Sequence, residues 1–229
     1  MGKGRREFRK YAAAGVLGQC LLGAIAQATP LNLTLTSAPD IFSGFIDVTY
    51  NASSDQFLAQ GFSLKYNDGA ATNDINNGNF NITATIDGAG NASTGSLLIT
   101  GTVQNTIYSG VLLTGSVSAF GFRNTGGDPF EFKFNITGGS LAPVFGAQVG
   151  LILEAHSTFN GSFASNFNNL LGDTPGTGSG TSDVAPVIPE PSTKFLVVLA
   201  GCFLLTGGFA RKGENRRPVA GDVAGPWIR

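Results

Sequence analysis

The chain has 229 residues, with 14 basic and 15 acidic residues, a size that suits one moderate domain with accessory segments. Its charge is segregated, because residues 29–188 hold only three basic residues against eleven acidic ones, a balance of −8. So acidic a body excludes nucleic acid and anionic membrane surfaces as expected partners. Cys20 and Cys202 lie in terminal apolar runs, so the body offers no disulfide, zinc cluster or cysteine nucleophile.

Residues 1–28 have the three parts of a secretory signal peptide. Residues 3–10 are basic, and residues 11–25, "YAAAGVLGQCLLGAI", form an apolar run that is too short for an ordinary membrane span. Ala26 and Ala28 then supply a small-x-small site. We expect signal peptidase to cleave after Ala28; the alternative is an uncleaved N-terminal anchor.

The body, residues 29–172, reads as strands separated by turns. "LNLTLTS" at 31–37 and "GFIDVTYN" at 44–51 alternate between apolar and polar residues, and "FEFKFNIT" at 130–137 alternates most clearly. A period of two indicates strands with one buried and one solvated face. Further candidate strands lie at 62–67, 80–87, 96–103, 110–122, 147–157 and 161–164. Separators rich in Asn, Asp and Gly, such as "DGAGN" at 87–91, favour turns. The spacing predicts an all-β antiparallel sandwich, jelly-roll-like or immunoglobulin-like.

Fourteen phenylalanines between Phe42 and Phe167 supply a core for this body, since each buried Phe contributes about 1.5–3 kcal/mol. The segment 66–79, "YNDGAATNDINNGN", is too polar for a core and is expected to be a long surface loop. Residues 173–188 are rich in Gly, Ser, Thr and Pro. That composition predicts a flexible linker.

The chain closes with a second apolar segment. Residues 195–210, "FLVVLAGCFLLTGGFA", carry no charge and would form a helix about 24 Å long, close to the thickness of a bilayer core. The basic cluster at 211–217 contains Arg211, Lys212, Arg216 and Arg217. Such clusters remain on the cytoplasmic side, so residues 218–229 are expected to be a cytoplasmic tail and the body to lie outside the plasma membrane.

Pro189, Glu190, Pro191 and Ser192 directly precede this apolar segment. With the span, Arg211 and the N-terminal signal, they give the chain a C-terminus that resembles the PEP-CTERM sorting signal of bacterial envelope proteins over residues 189–217. The tail after the basic cluster is a departure from the usual pattern. The resemblance implies processing by an exosortase, a membrane-embedded, cysteine-dependent enzyme, in a Gram-negative bacterium that makes exopolysaccharide and biofilm. The alternative is a simple membrane anchor behind a proline-rich stalk.

Within the body, the residues suited to catalysis or metal binding are few. Glu154 and His156 share a strand face, where they form either an acid–base pair or, as we favour, a solvated pair. Glu131 is expected to be solvated as well. Asp68, Asp74 and Asp87 are weak candidates for Ca²⁺ ligands, helped by Asn73 and Asn91, although turn chemistry accounts for the same residues.

These observations favour a non-enzymatic surface or matrix protein that associates with exopolysaccharide or biofilm. We expect no cofactor. The alternatives are a secreted carbohydrate- or ester-active enzyme, which would gather Glu154, His156 and further acids in a cleft, and a Ca²⁺-dependent binding module.

Overall fold

The computed structural model describes residues 29–189. These residues form nine strands, one helical turn (α1) and a short 3-10 turn at Leu171–Asp173. The strands are β1 (Asp40–Asn51), β2 (Gln56–Asn67), β3 (Thr72–Ile86), β4 (Ala92–Val103), β5 (Ser109–Gly121), β6 (Phe130–Gly138), β7 (Gln148–Glu154), β8 (Phe167–Asn168) and β9 (Gly180–Pro186), and α1 is Ala142–Phe145.

The strands close into an eight-stranded antiparallel β-barrel. Each strand from β1 to β7 pairs with the next, β7 pairs with β9, and β9 pairs with β1. The short β8 joins β1 at Thr49 and Tyr50, outside this ring. The predicted sandwich is therefore wrong. Alternation with a period of two is the same in a sandwich and in a barrel, so only the pairing of the last strand decides between them.

The barrel interior is filled by side chains, as expected for eight strands. Phe130, Phe132 and Phe134 of β6 point inward and are fully buried, as the alternation predicted. At one end of the barrel, rings contributed by the loop between β7 and β8 complete the packing: the centroids of Phe159 and Phe167 lie 4.9 Å apart, and Phe163 lies 4.9 Å from Tyr50. The packed rings form one continuous core.

The predicted flexible linker is wrong where the chain forms β9. Residues 180–186 pair with β7 on one side and with β1 on the other. Ser182 and Val184 are buried in the interior. Small inward side chains suit this strand because phenylalanines from the other strands take up much of the interior. The Gly- and Ser-rich composition that suggested a linker is thus the composition of a strand facing bulky neighbours.

Residues 30–36, here called the strap, lie across the outside of the barrel. The predicted strand at 31–37 is reduced to one bridge between Leu35 and Val187. The backbone N–H groups of Asn32 and Leu33 donate to the Glu131 carboxylate at 3.0 and 2.9 Å. Glu131 is only 6% exposed. The prediction that Glu131 is solvated is therefore wrong, because the strap covers the outer face of β6.

The predicted surface loop at 66–79 is also wrong. β2 continues to Asn67 and β3 begins at Thr72, so the segment is a tight hairpin rather than a loop. Asp68 accepts the N–H groups of Ala70 and Ala71 at 2.8 and 2.7 Å and thereby forms the turn. The exposed Lys65–Asp74 ion pair, at 2.7 Å, joins the two strands. Polar residues occur here because the turn, residues 68–72, is exposed to solvent.

The segment at 161–164, a possible strand in the sequence, is a loop that buries Phe163. Several predicted features lie outside the described residues: the signal peptide at 1–28, the motif residues Glu190 and Pro191, the membrane span at 195–210, the basic cluster at 211–217 and the cytoplasmic tail at 218–229. Over residues 29–189, none of the helices has the length and apolar character needed to cross a membrane.

Candidate functional site

Three phenylalanines do not belong to the core. Of the fourteen in the described residues, eleven are buried; Phe45 is 67% exposed, Phe62 is 53% exposed, and Phe42 is partly exposed. All three lie in the hairpin formed by β1 and β2. Phe62 is paired with Gly44, the residue next to Phe45. A side-chain carbon placed on Gly44 would lie 3.9 Å from the Phe42 ring, so the Phe42 ring lies beside the residue that precedes Phe45 and pairs with Phe62.

A bulge in β1 places Phe45 on the outer surface. The register with β2 shifts between Gly44 and Asp47, and Ile46 turns into the core while Phe45 faces solvent. Gly61 of β2 makes room for this bulge, since a carbon in its Cβ position would lie 2.8 Å from the Ile46 side chain. Phe45 has φ = +54°, a left-handed conformation that is costly for a bulky residue. The hairpin therefore holds an exposed ring in a strained backbone.

A groove of about 470 Å³ opens beside Phe62, where the register between β2 and β3 shifts. Gly78 allows the backbones to approach, because any side chain there would collide with the Ser63 carbonyl. The Ser63 hydroxyl donates to the Asn79 carbonyl at 2.9 Å. The groove is lined by Phe62, Ser63, Leu64, Ile75, Asn77, Gly78 and Asn79. It is an open, uncharged surface that joins apolar side chains to amides.

A second groove, of about 420 Å³, lies at the other end of the same hairpin. It is lined by Thr49, Tyr50, Asn51, Ser54, Gln56, Leu58, Asn166, Phe167 and Asn168. Hydroxyl groups continue this polar surface onto β3 and β4, where Thr83 and Ser96 lie 2.9 Å apart and Thr94 donates to Thr85 at 3.1 Å. Both grooves are therefore lined by neutral residues, in a body that is otherwise strongly acidic.

Two acidic side chains with raised pKa values lie on β1 and β9. Burial, followed by the negative charge of Asp183, raises the pKa of Asp40 to about 6. Burial and the charge of Glu154 raise the pKa of Asp183. Asp183 is the partner of Phe42 in the pairing of β1 with β9. These carboxylates lie on the β9 side of the hairpin and line neither groove.

The structure does not bring Glu154 and His156 together on one strand face. β7 ends at Glu154, and His156 follows with φ = +51°. Both side chains are exposed. Asp128 organises this turn by accepting the N–H groups of Ala155 and His156 at 2.7 and 2.9 Å. The predicted shared face is wrong because the chain leaves the sheet between the two residues.

The three weak Ca²⁺ candidates have local partners. Asp68 forms the β2–β3 turn, Asp74 pairs with Lys65, and Asp87 accepts the N–H groups of Ala89 and Asn91 at 3.0 and 2.8 Å. These hydrogen bonds lower the pKa of Asp68 and of Asp87. Among residues 29–189, no three His, Cys, Asp or Glu side chains are grouped as a metal site would need.

Pro189, the first residue of the predicted sorting motif, is the last described residue. It follows the barrel without a spacer: the N–H of Ile188 donates to the Thr34 carbonyl at 2.8 Å, and Val187 bridges to Leu35. The strap, which comes directly after the predicted signal peptide, thus pairs with the residues directly before the sorting motif. The two ends of the barrel domain meet on one surface.

The exposed phenylalanines were overlooked in the sequence, although a signal for them existed. In "GFIDVTYN", the alternation groups Phe45 with Asp47 and Thr49. In the sequence of β2, Phe62 falls on the face of Gln60 and Leu58. An aromatic residue in phase with polar ones is a candidate for an exposed site.

Comparison with known protein families, curated proteins and solved structures found no similar protein.

Proposed function

We propose that this protein is an exported, non-enzymatic surface protein that an exosortase processes through its C-terminal PEP motif. The order of segments supports this: a signal peptide at 1–28, Pro189-Glu190-Pro191, an apolar span at 195–210 and a basic cluster at 211–217. Flanking prolines favour an extended backbone that lacks N–H donors, a form that an enzyme can bind along its length. The predicted localisation is the plasma membrane at first and then the cell surface or the surrounding matrix.

We further propose that the barrel associates with exopolysaccharide. The observation that carries this is the presence of three unburied phenylalanines in the β1–β2 hairpin, one of which, Phe62, lines a groove formed by amides and apolar groups. Binding sites for small organic groups combine apolar surface with a few polar groups that fix orientation. Sugars present both kinds of surface, because their C–H faces pack on aromatic rings and their hydroxyl groups bond to amides.

The sorting proposal is tested by producing the full chain in cells with and without an exosortase and measuring the mass of the mature product. We expect loss of the span only when the enzyme is present. A Glu190→Ala variant should keep the span in both strains, and a Glu214→Ala variant, altered in the basic region, is the matched control. Retention of the span by the unaltered chain in both strains would contradict the proposal and favour a simple anchor.

A further inference from the structure

We propose that the outer face of the β1–β2 hairpin is a binding site for an uncharged polysaccharide chain, with Phe45 and Phe62 as its aromatic contacts. This rests on the proposed association with exopolysaccharide and names its site and ligand class. The site is the surface that begins at the groove beside Phe62 and ends at the groove beside Gln56. We call it the hairpin face.

The exposure of Phe45 and Phe62 has a cost in folding stability. Apolar side chains contribute to stability when they are buried. The barrel buries eleven of its fourteen phenylalanines. Phe45 also occupies a left-handed backbone conformation, and such strain occurs at functional sites when the surrounding structure maintains it. Here the absence of a side chain on Gly61 leaves room for Ile46, which fills the space beneath the bulge. The sequence thus keeps the Phe45 ring at the surface by a specific packing arrangement.

The charges around the hairpin face indicate the charge of the ligand. Both grooves are lined by uncharged residues. Between them lies Asp47, opposite Gln60, and its carboxylate already accepts the backbone N–H groups of Gly176 and Gly178. At the other border, Lys65 is paired with Asp74. With three basic residues against eleven acidic ones, the domain repels polyanions. A neutral glycan fits this surface, and a uronic acid polymer does not.

The distance between the two grooves indicates the length of the ligand. Phe62 and Gln56 are six residues apart on β2, which corresponds to about 20 Å along a strand. A single sugar can occupy one groove, whereas a chain of several sugars can reach from the rings to the amides of Asn51 and Gln56. The affinity is therefore expected to rise with chain length until both grooves are occupied.

The test uses the full chain, produced with its export signals and purified in mild detergent. Binding is measured by calorimetry with neutral cello- and laminari-oligosaccharides of two to six units, and with alginate oligosaccharides as the anionic probe. We expect the neutral hexasaccharides to bind most tightly. Phe62→Ala and Phe45→Ala should each weaken this binding about tenfold or more, as for central aromatic contacts elsewhere. Ile107→Ala is the matched control, because Ile107 is 92% exposed in the turn between β4 and β5.

The outcomes separate the two levels of the proposal. If no oligosaccharide binds, the association with polysaccharide is itself wrong. If neutral chains bind but both Phe variants bind as tightly as Ile107→Ala, the association stands and the hairpin face is the wrong site. Preferential binding of alginate overturns the ligand class. Light scattering supplies a further check, because a dimer that Phe62→Ala dissociates, without any change in glycan binding, would make this face a contact between copies of the chain.

Discussion

The two sides of the barrel differ in how far the chain covers their outer faces. On β5, β6 and β7, three outward positions lie against the strap: a side-chain carbon on Gly121 or Gly150 would collide with it, and Glu131 binds its backbone. On β1 and β2, the outward positions carry Phe45 and Phe62, and they remain exposed. The chain supplies its own cover for one side. The other side keeps apolar surface in contact with solvent, as binding surfaces do.

The largest effect is expected from removing the carboxylate that holds the strap. Glu131→Ala leaves two backbone N–H groups without their charged acceptor, and we expect a loss of about 2–3 kcal/mol in the free energy of unfolding. Chemical denaturation measures this. Glu154→Ala, which removes an exposed carboxylate, should change stability by less than about 0.5 kcal/mol. Equal losses in the two variants would mean that the strap does not stabilise the barrel.

A side chain beneath the strap should have the next largest effect. Gly150→Ala places a carbon 2.5 Å from the Leu35 side chain and 2.8 Å from the Val187 side chain, so the side chains that hold the strap here must shift. We expect a loss of about 1–2 kcal/mol and faster proteolysis between residues 29 and 36. Gly88→Ala is the control, because a carbon there meets nothing within 4 Å. Unchanged proteolysis of Gly150→Ala would show that the strap is held more loosely than its contacts imply.

The carboxylate of Asp40, the first residue of β1, should make the free energy of unfolding depend on pH. The pKa of Asp40 is about 6 in the folded protein, against an ordinary value of 3.8. The folded state therefore binds a proton more tightly, and the contribution of Asp40 to stability falls as the pH rises from about 4 to 6. Asp40→Asn should flatten this dependence and raise the free energy of unfolding at pH 7 by about 1 kcal/mol, once solvent screening is included.

Denaturation of the wild-type chain and the Asp40→Asn variant across this pH range, at constant ionic strength, checks that expectation. Identical pH profiles would show that Asp40 titrates normally. Below about pH 4 a separate loss of stability is expected in both chains, because the lowered pKa values of Asp68 and Asp87 make their ionised forms stabilising.

The smallest effect distinguishes the two exposed rings from each other. Phe45→Gly relieves a left-handed conformation and should raise the free energy of unfolding by about 0.5 kcal/mol, since glycine adopts that conformation freely. Phe62 is not among the residues with positive φ, so Phe62→Gly should lower it by about 0.5–1 kcal/mol. Thermal unfolding of both variants measures the difference. Destabilisation by Phe45→Gly as large as that by Phe62→Gly would remove strain from the argument for this site.

Much of the fold follows from local sequence. The alternation in "FEFKFNIT" correctly placed Phe130, Phe132 and Phe134 in the core, and the turn at Asp87–Asn91 lies where its composition predicted. Errors arose where the environment of a residue is set by a segment distant in sequence. Glu131 looked solvated because its partners, Asn32 and Leu33, are about a hundred residues away.

The candidate site shows the same division. The sequence by itself determined that the body is built from strands and is acidic, because alternation and charge are local properties. It also contains the PEP motif and its flanking segments. Only the tertiary structure decided that the sheet closes through β9, that the strap covers part of one side, and that Phe42, Phe45 and Phe62 of the β1–β2 hairpin stay unburied. Closure and coverage depend on contacts between segments far apart in the chain, which no local pattern of residues encodes.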